Sequence, residues 1–298
     1  MTGLIEPAQR DGALLADIAT GRDAGDGCLR LWWLGQAGFL LQWDGHQLLL
    51  DPYLSDSLTA KYADTDKPHV RLTGRAVDPA ALEAIEAVTS SHNHTDHLDH
   101  ETLWPLIAAN PSITMVIPEA NRSFVADRLH TDPTWPVGLT SGASATVGAF
   151  RVTALAVAHE DLDVDEHDRH RHLGYLVAAG PLLVFHSGDA VPYEGMADEL
   201  LRLAGGQPID VALLPINGRL PERRVPGNFW GDEAAEFAHA IGAGLVVPMH
   251  FEMFSFNTET PDLFVATCER LGQPHYVARC GERLVIQPHV IESQGDPS

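Results

Sequence analysis

The run His92-Asn93-His94-Thr95-Asp96-His97 packs four side chains that can ligate a metal into six residues. It follows directly on an apolar segment around Ala87-Val88 that reads as a buried strand. On a loop leaving a strand, His92 and His94 can turn to one metal while Asp96 and His97, entering the next helix, turn to a neighbouring one. Imidazole and carboxylate donors suit Zn²⁺, Mn²⁺ or Fe, whereas softer ions select thiolates. A lone histidine is more often polar surface, and the chain has 16 of them, but three His and an Asp at this spacing form a compound motif.

Such a motif needs further ligands from distant loops, and the ends of three predicted strands offer them. His159 follows the apolar stretch Val152 to Ala158, Asp189 follows Leu182 to Phe185 in Phe-His-Ser-Gly-Asp, and His250 follows Leu245 to Val247 in Val-Val-Pro-Met-His. Loops along one edge of a rigid sheet are where catalytic groups are most easily assembled.

The pattern along the chain agrees with sheets held between helices. After an amphipathic helix around Glu6 to Ala19, the segment Leu29 to Leu50 reads as antiparallel strands with Asp44-Gly45 as a hairpin turn. Asp78-Pro79 reads as an N-cap and first helical residue, and predicted helices follow near Ala80 to Glu86, Glu101 to Ala109 and Glu119 to His130 around a strand at Ile113 to Ile117. A second cycle has strands near Thr146 to Ala158, Gly174 to Val177, Leu182 to His186, Val211 to Leu214 and Leu245 to Pro248, with helices near Tyr193 to Leu203, Asp232 to Ile241 and Pro261 to Leu271.

Composition narrows the partners. With 19 Lys and Arg against 41 Asp and Glu, the formal charge is -22, which repels phosphate backbones and anionic headgroups, so no nucleic acid and no membrane surface is expected. Glu6, Arg10, Asp11 and Asp17 interrupt any apolar signal core, and Cys28, Cys268 and Cys280 lack disulfide or metal-pair spacing, so a cytoplasmic protein is expected.

The order His-X-His-X-Asp-His, a later His, an Asp after Ser-Gly and a late His resembles the metallo-β-lactamase superfamily. That resemblance implies an α/β (α+β) fold, a four-layer αββα sandwich with two mixed sheets between helical layers. It implies two divalent metal ions, with His92, His94 and His159 on the first, Asp96, His97 and His250 on the second, and Asp189 bridging. Within the superfamily, Trp33-Leu34-Gly35-Gln36-Ala37-Gly38-Phe39, Pro215-Ile216-Asn217-Gly218-Arg219 and Pro248-Met249-His250-Phe251-Glu252-Met253-Phe254 look like the L-ascorbate-6-phosphate lactonase-like branch. The layout expected is a helical extension at 1–28, a single hydrolase domain at 29–290 and a flexible tail at 291–298. Self-association into a homo-oligomer is implied by the resemblance alone.

The chemistry expected is hydrolysis of a small-molecule lactone or ester, a sugar-phosphate lactone among the candidates, by a metal-activated hydroxide, with Asp96 or Asp189 as the catalytic carboxylate that moves a proton to the leaving oxygen. Asn217 and the cations Arg219, Arg223 and Arg224 are the substrate-binding candidates, on the expectation that they line the metal cleft. A small-molecule phosphodiesterase is the alternative on the same site. A non-catalytic metal-binding protein is the alternative of another kind, should the acidic, His-rich loop 160–172 block access. Tyr53, Trp104, Trp230 and Phe254 read as core aromatics or pocket walls.

Overall fold

The structure is a computed structural model, and it describes residues 3–288. The expected tail at 291–298 lies outside the described residues. Two mixed sheets face each other between helices. The first holds seven strands: β1 (Leu29–Gly35), β2 (Gly38–Trp43), β3 (His46–Leu50), β4 (Ala87–Thr89), β5 (Thr114–Pro118), β6 (Val137–Leu139) and β13 (Arg283–Ile286), in the order β13-β1-β2-β3-β4-β5-β6. The second holds β7 (Ser144–Val147), β8 (Phe150–Ala156), β9 (Leu173–Ala179), β10 (Leu182–His186), β11 (Val211–Pro215) and β12 (Leu245–Met249), in the order β12-β11-β10-β9-β8-β7. In each sheet an antiparallel half meets a parallel half: β3 to β6 run parallel to one another, as do β10 to β12.

Strands β1, β10 and β11 are buried at every residue, because one face meets the opposite sheet and the other meets helices. Helices α5 (Met196–Ala204) and α6 (Gly231–Ala240) cover the second sheet, with α7 (Asp262–Leu271) against α6. Helix α1 (Asp11–Arg22) lies on β2, where Leu14 and Ile18 join the common core and Asp17 accepts from the Trp32 indole. Helices α3 (His100–Ala109) and α4 (Arg122–Leu129) pack together beside the parallel half of the first sheet.

Several sequence expectations shift. Asp44 and Gly45 both take positive φ, as a two-residue hairpin turn requires, so that turn stands. Thr146 to Ala158 is two strands, turned at Gly148 with φ +57°. The helix expected at Ala80 to Glu86 is a single 3-10 turn, Pro79–Ala81, although Asp78 caps it as read. Ala84 has positive φ, the Glu83 and Ala84 carbonyls accept from Gln47 Nε2, and the Ile85 amide donates to Asn110 Oδ1. Side chains thus satisfy the backbone groups a helix would have used. Helix α2 (Ser57–Lys61) and the short edge strands β6 and β13 had no periodic signal to announce them.

Candidate metal centre

Every donor read from the sequence sits where a strand of one sheet or the other ends. His92 to His97 follow β4, His159 follows β8, Asp189 follows β10 and His250 follows β12. The Ser90-Ser91 segment is clamped from both sheets: Tyr175 donates its hydroxyl to Ser90 O at 2.9 Å, and the Ser91 amide donates to both Asp51 oxygens at 3.1 and 3.0 Å. Asp96 and His97 precede helix α3 in a turn of their own, closed by the Leu98 amide on His94 O, and Asp99 caps the helix by accepting from Glu101 and Thr102. The ligand loop is therefore anchored at both ends, which is how a six-residue loop holds one geometry.

The donors form two clusters, His92, His94 and His159, and Asp96, His97, Asp189 and His250, each with its ligand atoms within 4.8 Å of one another. Asp189 stands between them. Its Oδ1 is 3.2 Å from His97 Nε2, and its Oδ2 is 3.1 Å from His250 Nε2 and 3.6 Å from His159 Nε2. His97 Nε2 and Asp189 Oδ1 are buried and face each other without forming a hydrogen bond. Two buried polar atoms left unpaired at such a distance have the arrangement expected of donors to a shared cation.

Charge balance points the same way. Burial opposes a charge on His97 and His250, yet Asp189 and Asp96 outweigh it, lifting His97 well above its ordinary value and His250 to about 9. Asp189 is buried and Asp96 half-buried, which raises both carboxyls, yet His97 and His250 hold them below their ordinary range. Burial pushes His92 and His94 down, and His159 down to about 3, so these imidazoles are neutral, the form that ligates. One cluster demands positive charge and the other presents lone pairs. Divalent cations fit both.

The sequence reading missed the residues that aim these donors. Asp51, fully buried, accepts from His97 Nδ1 at 2.8 Å, and Gly227 O accepts from His159 Nδ1 at 2.8 Å, so each ring turns Nε2 toward the cluster. Gln36 donates its amide to Asp96 Oδ2 at 2.7 Å and touches His250 Nε2 at 2.8 Å. Gln36, Asp51 and His250 all have positive φ, and strained backbone of this kind concentrates at functional sites. Gln36 lay inside a motif already singled out, but nothing in the spacing marked its amide as a partner of Asp96.

A cavity of about 440 Å³ opens over the clusters, lined by His94, Asp96, His159, Asp189 and His250. Loop 160–172 does not close it. The loop is a turn organised on Asp165 that borders a second hollow on the far side of His94 and His159. Among the aromatics, Phe254 lines the main cavity, Tyr53 is core, and Trp104 is exposed.

The expected substrate contacts fall elsewhere. Arg219 pairs with Glu233, Arg223 with Glu259 and the Asn217 carbonyl, and Arg224 with Asp66. Asn217 holds Asn228 and Asn257 through its side chain. None of the four is in the lining of the cavity, which takes its cations from Lys61 and Arg128 instead.

A family model described as "Beta-lactamase superfamily domain" matches residues 30–250. The chain belongs to this family. The match runs from β1 through the last candidate ligand, His250. Among its relatives, a "UPF0173 metal-dependent hydrolase" of Opitutus terrae is 28% identical over 262 residues, covering 87% of this chain and all of the relative. The isothiocyanate hydrolase from Delia radicum gut bacteria superposes with a TM-score of 0.67 at 16% identity, over 86% of this chain and 98% of that one. CmlA, a diiron β-hydroxylase from Streptomyces venezuelae, superposes with a TM-score of 0.65 at 18% identity, over 87% of this chain and 54% of that one. At such identities the two structures show the fold alone, and the two proteins are named for different chemistries on it. No described helix is long and apolar enough to cross a membrane.

Proposed function

We propose that this protein is a metal-dependent hydrolase that cleaves a small-molecule lactone or carboxylic ester. The observation that carries the reading is the pair of donor clusters joined through Asp189, with His97 Nε2 and Asp189 Oδ1 buried and unpaired between them. The "metal-dependent hydrolase" name of the Opitutus terrae relative and the lactonase-like motifs around Gln36, Asn217 and His250 support it. A cavity of about 440 Å³ suits a small molecule.

His92, His94 and His159 would hold one divalent cation, Asp96, His97 and His250 a second, and Asp189 would serve both. Zn²⁺, Mn²⁺ or Fe suits these donors. When bound, such cations lower the pKa of a water between them and polarise the oxygen of the group under attack. The chain's own residues do the rest. Asp51 and Gly227 O fix the tautomers of His97 and His159, and Gln36 steadies Asp96. Asp96 and Asp189, both at the cavity wall, are the carboxylates that would carry a proton to the leaving oxygen.

Elemental analysis and a panel of lactones, esters and a cyclic phosphodiester test the reading. About two metals per wild-type chain, with metal and lactone or ester turnover lost in His94→Ala and Asp189→Ala, is the expected result. Turnover of the phosphodiester alone would replace the ester reading with phosphodiester cleavage. Folded protein that takes up no metal on incubation with Zn²⁺ or Mn²⁺ would overturn it.

A further inference from the structure

Lys61 and Arg128 are set apart from most cations of this acidic chain. Thirteen of its 19 Lys and Arg form ion pairs with Asp or Glu, whereas these two, at the wall of the metal cavity, form none among the described residues. Both also line an adjoining hollow, with Thr95 of the ligand loop common to the two spaces, so both border that loop. Glu101 borders the hollow without pairing with either, and Asp99, the carboxylate that acts on Arg128 from farther off, is occupied by Ser55, Thr102 and the cap of α3.

Arg128 is also positioned. Half-buried on α4, it donates Nη1 to the Asn93 and Leu98 carbonyls at 3.1 and 3.3 Å, and its guanidinium lies 4.6 Å from the Phe124 ring centre. Its Nε and Nη2, the edge that pairs with two oxygens of one oxyanion, have no protein partner among the described residues. Burial depresses the guanidinium only by disfavouring its charge, and an incoming anion relieves that cost.

A second hollow beside the metal clusters carries the opposite sign. Glu160, Asp161 and Asp163 border this hollow, which also takes in His94 and His159, and among the described residues only Asp163 has a cationic partner, Arg171. In the main cavity, Tyr62, His69, Phe254 and Phe256 form an aromatic wall, with ring centres 4.1 to 5.2 Å apart around His69. An aromatic wall in a cavity that holds two free cations, with carboxylates lining the hollow next to it, sorts and orients what enters.

We propose that Lys61 and Arg128 form an oxyanion subsite, so that the substrate is an ester or lactone with an aromatic or branched apolar body and a carboxylate or phosphate at the end lying away from Glu160 and Asp161. This deepens the hydrolase reading and rests on it for the reacting bond, whereas the anion subsite itself can be measured without turnover.

The test uses metal-loaded protein with metal content checked in every variant. The probes are 4-nitrophenyl hydrogen succinate and its uncharged counterpart 4-nitrophenyl butyrate for turnover, with calorimetric binding of hydrocinnamate and of phenyl phosphate. In Lys61→Met and in Arg128→Gln, the charged-to-neutral ratio of kcat/KM falls about tenfold or more, and the tighter-binding of the two anions weakens by a similar factor. The exposed, unpaired Arg151 gives a charge control, since Arg151→Gln alters the net charge equally and should leave both readings within about twofold. Lys61→Met touches no backbone of the ligand loop, so it stands if Arg128→Gln disturbs that loop. Anion affinities unchanged in Lys61→Met overturn the subsite, whether or not the esters are cleaved. Loss of anion binding with no turnover of either ester supports the subsite and counts against ester hydrolysis.

Discussion

His97 gives Nδ1 to Asp51 Oδ2 at 2.8 Å, and neither side chain has any exposure to solvent. Asp51 spends its remaining capacity on the Ser91 amide and the Thr89 hydroxyl, both at the base of the ligand loop. One carboxylate therefore ties the end of β3 to the end of β4 and turns His97 Nε2 into the second cluster.

Asp51→Asn keeps the shape and removes the charge that holds the ring. Orienting partners of metal ligands typically contribute about 10- to 100-fold in metal affinity, and a loss of that size at one site is expected here. Competition against a chelator would measure it, with circular dichroism to confirm the fold. Affinity equal to wild type at both sites would remove Asp51 from the centre.

Gly188 precedes Asp189 with φ +59°, and a Cβ there would meet Ser91 Oγ at 2.5 Å and Ser91 Cβ at 2.6 Å. The loop carrying the central carboxylate thus rests directly on the loop carrying the histidines. Gly188→Ala should destabilise by about 1–3 kcal/mol through overpacking and an unfavourable φ, lowering Tm by roughly 2–4 °C per kcal/mol. Metal content should fall too, because the displaced residue neighbours Asp189. Adding Ser91→Gly removes the clash but not the φ penalty, so calorimetry should find partial recovery; no recovery would place the strain elsewhere.

The fold and the clustering of the candidate donors were legible because both rest on local patterns. Apolar runs buried on two faces marked the strands, and donors at strand ends marked the centre. What escaped depended on chain that is distant in sequence. Asp51 is an ordinary aspartate after a strand until Ser91 and His97 come to it from about 40 residues on. Arg219, Arg223 and Arg224 drew notice as a cationic cluster, yet Glu233, Glu259 and Asp66 neutralise them, and those partners lie 14, 36 and 158 residues away. Lys61 and Arg128 carry no motif at all. Their interest lies in the carboxylates they lack, which only the folded chain reveals.

The loop 160–172 is ordered by one side chain. Asp165 accepts from the His167 and Arg169 amides at 2.9 and 3.0 Å and from Arg169 Nε at 2.7 Å. The Arg169 side chain is the main cause that holds the Asp165 carboxyl below its ordinary 3.8. A carboxyl depressed on folding stabilises its surroundings above the unfolded value and loses that contribution as pH falls through the folded one. Hydrogen exchange, corrected for intrinsic rates, should find the His167 and Arg169 amides protected from neutral pH down to about pH 4 and increasingly exposed below it. Asp165→Asn should lose much of that protection at neutral pH, and unchanged protection would show that the turn holds without the ion pair.

The three cysteines are free and differ sharply in setting. Cys268 and Cys280 are buried, and burial pushes their thiols up to about 11 and about 12. Cys28, half-buried before β1, is raised as well, by burial and by Asp26, but it alone borders solvent. Alkylation requires the thiolate and access to it. At pH 8, folded protein should therefore be labelled slowly and only at Cys28, with Cys268 and Cys280 reacting once denaturant is added, as peptide mass mapping would resolve. Modification of Cys280 in the folded state would mean that the contact between β1 and the segment beside Gly281, where the Gly281 amide donates to Trp33 O, opens readily. That opening would loosen the Trp33 to Gln36 turn, whose Gln36 carbonyl accepts from the His250 amide, so thiol reactivity would report on the same loop that steadies Asp96.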